Sequence, residues 1–202
     1  MNFTAPLAIA FTVLAGCSFT PTREAQWTDP GLGAQSGQLR AEKVLVACDA
    51  YDAAIRQTCQ ATLSREVLAQ GATPVSVPAG VTLLNDRDLD GQLVASAVAL
   101  GAKAVFTMTL TPAVTSAGPG LALGLGGFSF GRGGGLGVGL SAPLGGSGVR
   151  TGLAANGRVT DVRSSRLVWS ATFVASPNAD IDSQLGALSR SMLEAAVKAG
   201  LF

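Results

Sequence analysis

From Lys43 onward, apolar positions switch repeatedly between short unbroken runs and a helical spacing, and glycine, proline or aspartate marks each switch. Val44-Leu45-Val46-Ala47-Cys48 is an unbroken apolar run of strand length, which suits a buried strand. Asp49 to Asp52 then supply helix-capping carboxylates. From about Asp52 to Gln70, Ile55, Cys59, Leu63 and Val67 recur every fourth residue, and Gly71 stands where a left-handed C-cap ends a helix. Thr73 to Val77 predicts a second, shorter strand. Leu89, Leu93, Ala97 and Leu100 share one face of a helix over about Leu89 to Leu100, stopped by Gly101. Ala104 to Leu110 predicts a third strand. Thr151 to Val162 and Arg166 to Ser176 predict a hairpin that turns over Asp161 to Arg166. Ile181, Leu185, Leu188, Met192, Ala196 and Ala199 form the stripe of a last helix ending at Gly200.

Strand, helix, strand, helix, strand, hairpin, helix is the order of an α/β (α+β) layer. It predicts a single mixed sheet of about five strands with three helices, plus a Gly-rich loop or hairpin over residues 118–148. The folded domain is expected over residues 41–202. Residues Ser18 to about Arg40 mix Pro21, Pro30, Gly31, Gly33 and Gly37 with polar residues and hold no apolar period. They read as a flexible tether spanning roughly 25 Å as a coil and roughly 75 Å when stretched. Trp27 within it is open to two readings, a packing staple on the domain or an interfacial anchor.

Residues 118–148 hold 14 glycines in 31 positions, no Asp, Glu or Lys, and Arg132 alone among cations. A phosphate cradle is excluded, because no Lys follows for a P-loop and none of the Gly-x-Gly groups continues to the required third Gly. No nucleotide is therefore expected. Leu121, Leu123 and Leu125, then Leu136, Val138 and Leu140, alternate with small residues on either side of Gly131 to Gly135, as in a hairpin with one apolar face. Each arm has only about five or six alternating residues, whereas a membrane-spanning strand needs about 9 to 11. An exposed loop is the simpler reading, because this much glycine is entropically costly to order without a partner. Phe128, Phe130 and Arg132 are its candidates for partner or membrane contact.

The start of the chain bears on the compartment. Phe3 to Ala15 is apolar except for Thr4, Pro6 and Thr12. That is the length of a secretory core and short of the roughly 20 residues of a spanning helix. It ends in Leu14-Ala15-Gly16-Cys17, which resembles the lipobox of bacterial lipoproteins. The resemblance implies a signal peptide over residues 1–16, cleavage before Cys17, and acylation of Cys17 with palmitate among its chains. Ser18 after the cysteine implies transport to the outer membrane, facing the periplasm. At least two acyl chains would make that anchor stable. The segment departs from the usual pattern in having no Lys or Arg before the apolar run. An ordinary cleaved signal peptide and a buried N-terminal helix are the competing readings.

A formal net charge of +1 with 13% charged residues leaves no electrostatic footprint for nucleic acid. The chain has no His, which removes Ser-His and Cys-His catalysis and the usual zinc sites. Asp86, Asp88, Asp90 and Gly91 match the opening of an EF-hand calcium loop, but Val94 and Ala97 stand where its later oxygen ligands belong. An acidic first turn of the second helix reads the same residues without a metal. Once Cys17 is assigned to lipid, Cys48 and Cys59 remain, as a disulfide or as two separately buried thiols.

Gly71-Ala72-Thr73-Pro74-Val75, Leu100-Gly101-Ala102-Lys103-Ala104-Val105, and Gly157-Arg158-Val159 across from Leu167-Val168-Trp169 are together similar to small periplasm-facing lipoproteins. The CsgG curli-secretion and LpoB-like activator families and several uncharacterised outer-membrane lipoprotein families share this pattern. The resemblance implies a membrane-anchored, non-enzymatic envelope binding or accessory module, without cofactor, that meets an envelope protein or its own copies. The alternative it carries is an oligomeric secretion or pore component using the Gly-rich hairpin.

Overall fold

The buried runs and helical stripes assemble into one six-stranded mixed sheet with helices on both faces. The computed structural model describes residues 20–32, 37–81, 88–114, 151–177 and 180–202. In chain order these form β1 (Thr22–Thr28), a 3-10 turn (Pro30–Leu32), β2 (Lys43–Asp49), α1 (Ala53–Ala69), β3 (Thr73–Ser76), α2 (Leu89–Leu100), β4 (Ala104–Val114), β5 (Thr151–Asp161), β6 (Arg166–Val174) and α3 (Ile181–Lys198). Across the sheet the strands run β1-β6-β5-β4-β2-β3. β2 is parallel to β3 and β4, and the other pairs are antiparallel.

Handedness decides which face each helix covers. The chain moves outward from β2 to β3 through α1, then back past β2 to β4 through α2. Right-handed connections in opposite directions put the two helices on opposite faces. α1 and α3 accordingly share the larger core, where Val46, Phe106, Met108, Trp169 and Phe173 meet Leu63, Leu185 and Met192. On the other face Leu45, Ala47 and Val105 meet Leu93 and Ala97 of α2. Trp169 is fully buried and stands edge-on to Phe106, ring centres 6.1 Å apart. Gly157 lies directly under Met192, whose sulfur a Cβ at that position would overlap. Glycine in mid-strand here makes room for α3.

β3 is only four residues long and includes Pro74, so it covers β2 no further than Val46. Gln60 of α1 takes over where β3 stops: its amide donates to the Val46 carbonyl at 2.7 Å and accepts from the Cys48 N–H at 3.0 Å. Backbone groups that no strand pairs are thereby satisfied.

The expected tether is corrected by β1. Thr22–Thr28 pairs antiparallel with β6, giving six strands where about five were expected. Leu32 and Leu39 are buried, and the Gly37 and Leu39 amides donate to the carbonyls of Gly200 and Leu201 at 2.9 and 2.8 Å. This segment has no apolar period because its order comes mainly from backbone pairing. β6 would otherwise present an open edge. Trp27 sits in β1 opposite Ser170 and is 44% exposed, so its ring is only partly packed on the domain. At the far end of β4, Val114 pairs with Thr151, so the two described ends of the Gly-rich connection are already joined in the ladder.

Trp169→Ala should lower the unfolding free energy by about 3 to 5 kcal/mol, as truncation of a buried Trp does. Urea denaturation measures this, and an unchanged midpoint would contradict the packing described.

Candidate functional site

Chemistry-bearing residues gather at two ends of the sheet. The first is the end where β2 and β4 finish, and all three helices begin there. Thr22, Val174, Ala154 and Thr111 lie in one row across the strands at this end, next to Asp49 at the close of β2. Open α/β sheets place ligands at this kind of point, where connections leave in opposite directions. Here the N-terminus of α1 is already filled: the Asp52 carboxylate accepts from the Ala54 and Ile55 amides at 2.8 and 3.0 Å. Those amides are the donors an anion would use. α3 is capped in the same way by Asp180, which accepts from the Asp182 amide at 3.1 Å and from the Ser183 hydroxyl. The Ser183 hydroxyl holds the Asp180 carboxyl below its ordinary range. Its stabilisation is therefore present at neutral pH and lost only as pH falls through that lowered value.

Cys48 and Cys59 are joined by a disulfide, with their Cα atoms 6.0 Å apart. One lies near the end of β2 and the other on the second turn of α1. α1 turns back over the strand it leaves, which sets that second turn above the strand end and within bridging distance. A disulfide of this kind persists in oxidising compartments.

On the face of α2, Asp90 is buried while Asp88 is exposed. Arg158 of β5 donates to Asp90 through Nε at 3.0 Å and through Nη2 at 3.3 Å, and Thr160 donates to the same carboxylate. Asp88 meets Arg158 only at 3.5 Å. Both Asp90 oxygens are thus engaged by β5, which accounts for this carboxylate without a metal; Asp86 lies outside the described residues. Among the described residues no cluster of His, Cys, Asp and Glu has the makings of a metal site. The pairing with Arg158 was not legible from the acidic run, because its partner is 68 residues away.

The opposite end of the sheet holds a cavity of about 200 Å³ lined by Leu39, Val159 and Leu201, with Asp29, Lys103 and Arg166 among its polar residues. Ligand pockets usually measure about 300 to 1,000 Å³. Its charges are also committed, Arg166 to Asp29 at 3.2 Å and Lys103 to Glu42 at 3.1 Å. Cys17, Phe128, Phe130 and Arg132 lie outside the described residues, as does the Gly-rich segment 118–148. No described helix is long and apolar enough to cross a membrane.

No family model and no curated protein matches this chain. Among solved structures it is similar to the PelC dodecamer from Paraburkholderia phytofirmans, with a TM-score of 0.54 at 12% identity, covering 91% of this chain and 99% of that one. A single-residue variant of the PelC dodecamer from the same organism gives a TM-score of 0.50 at 14% identity, covering 91% and 100%. At these identities the likeness is one of fold.

Asp90→Ala should cost about 2 to 4 kcal/mol, because it strands Arg158 and Thr160 against a half-buried surface. Asp88→Ala should cost under about 1 kcal/mol, as exposed pairs do. Parallel urea titrations measure both, and equal losses would refute the buried pairing.

Proposed function

We propose that this chain is a lipoprotein anchored through Cys17 in the periplasm-facing leaflet of the outer membrane, where its α/β domain serves as a non-enzymatic binding or accessory module. The Cys48–Cys59 disulfide carries the reading: it fits an oxidising compartment, which is where the Leu14 to Cys17 motif would deliver the chain. It also leaves Cys17 as the one thiol of three that is free for lipid. The filled N-caps of α1 and α3 and the paired charges of the small cavity favour contact through surfaces and strand edges over chemistry on a small substrate. The resemblance to CsgG and LpoB-like families belongs to this proposal.

A second reading, an assembled secretion or pore component, is favoured by one observation. The similar PelC chains, covered almost end to end, are dodecamers. On that reading copies of this chain form a ring at the membrane.

Cys17→Ser should abolish incorporation of labelled palmitate and move the protein from the membrane fraction to the soluble one. Continued labelling would refute the anchor. Light scattering on the detergent-extracted protein separates the two readings, the mass of one processed, lipidated chain supporting the accessory module and a multiple of it the assembly. Replacing residues 118–148 with a short Gly-Ser turn should leave the melting temperature unchanged, because Val114 and Thr151 already pair. If that replacement also dissolves the multiple, the segment is what assembles it.

A further inference from the structure

We infer that the sheet end bearing Tyr51 and Ile181 is a docking face for the lipid surface, and that the domain is held with this end against the headgroups. The inference rests on the anchor at Cys17 proposed above. β1 runs from this end towards the other: Thr22 pairs with Val174 at the finish of β6, and Thr28 pairs with Trp169 further down. Cys17 therefore precedes the strand at its membrane-near end by five residues of sequence. Five residues span at most about 18 Å. β4 alone has 11 residues and measures about 36 Å at strand rise. The chain between lipid and sheet is thus about half the length of the sheet, so the domain cannot stand inverted, with the 162–165 turn on the headgroups and the start of β1 a full sheet length away.

Exposure alone would not choose this face. Leu68 and Val98, near the C-termini of α1 and α2, are as exposed as Tyr51, at 61%, 60% and 67%. They lie towards the far end of the sheet, and the short connection from Cys17 separates the two sets. Tyr51 leads into α1, and Ile181 opens α3, which packs beside it. Ile181 is the member of the α3 stripe that the core does not cover, 39% exposed. Tyr suits this boundary, with an apolar ring and a hydroxyl for the wet side.

The charges specify the surface. Glu24, Asp49, Asp52, Asp88, Asp180 and Asp182 are exposed at this end, against Arg23 and Arg56. An excess of carboxylates suits zwitterionic headgroups and opposes an anionic sheet of lipid. Asp52 and Asp180 are turned back onto helix amides, which lowers the cost of bringing them near the membrane.

The test uses the lipidated protein extracted from membranes and reconstituted in phosphatidylcholine vesicles that carry a nitroxide on a fraction of the headgroups. Tyr51→Trp, Ile181→Trp and Arg163→Trp, each combined with Trp27→Phe, place one exposed indole at either end, while buried Trp169 contributes a constant background. Quenching several-fold greater at 51 and 181 than at 163 is the expected result. Equal quenching at both ends, or none at 51 and 181, overturns the docking face while labelled palmitate on the same preparation upholds the anchor. A preparation that carries no palmitate and does not float with vesicles overturns the anchor, and the docking face with it.

Discussion

The backbone ladder between β1 and β6 is the interaction that makes residues 22–28 part of the domain. β1 buries little of its own: nearly every side chain from Thr22 to Thr28 is exposed or half-exposed. Ordering a residue's backbone costs about 1 to 2 kcal/mol, while a net hydrogen bond returns about 0.5 to 1.5 kcal/mol. A seven-residue edge strand is therefore near balance on the ladder alone. The margin comes from its two ends. Pro21 is buried where the strand enters and Leu32 where it leaves. Just past the strand, the Asp29 amide donates to the Val168 carbonyl at 2.9 Å, and its carboxylate pairs with Arg166. Clamped this way, the strand converts a segment with the composition of a tether into part of the domain.

That conversion links the fold to the proposed function. A tether of the expected length would let the domain stand off the bilayer in any orientation. With β1 in the sheet, the anchor proposed at Cys17 would lie near one end of the domain and away from the other. The same end receives the starts of α1, α2 and α3, because every one of these helices follows a strand that finishes there. On that proposal, orientation at the membrane would follow from strand direction and need no separate device.

Elements whose order comes from side chains were legible in the sequence. Ile55, Cys59, Leu63 and Val67 marked α1 because helix burial repeats near every fourth residue, and Gly101, in the left-handed region at φ 66°, stopped α2 as read. The long strands β5 and β6 followed from their apolar content. β1 escaped because Thr-Arg-Glu-Ala-Gln-Trp-Thr has no alternation to read, its pairing being carried by main-chain groups that every residue possesses. The disulfide stayed open for a related reason. Spacing along a strand and a helix gives distance within each element but not the angle at which α1 returns over β2. Asp90 likewise reads locally as a helix-start carboxylate, and only the packing of α2 on β5 reveals Arg158 as its partner.

Membership of β1 in the sheet is tested most directly by amide hydrogen exchange on the lipidated protein, resolved to residues 22–29. The Asp29 amide and the β1 amides that face β6 should be protected well above the free-chain rate, with the outward-facing amides of the same strand exchanging fast. Free-chain exchange throughout 22–29, while β5 and β6 remain protected, would show that the segment is a tether after all and would remove the basis for the proposed orientation.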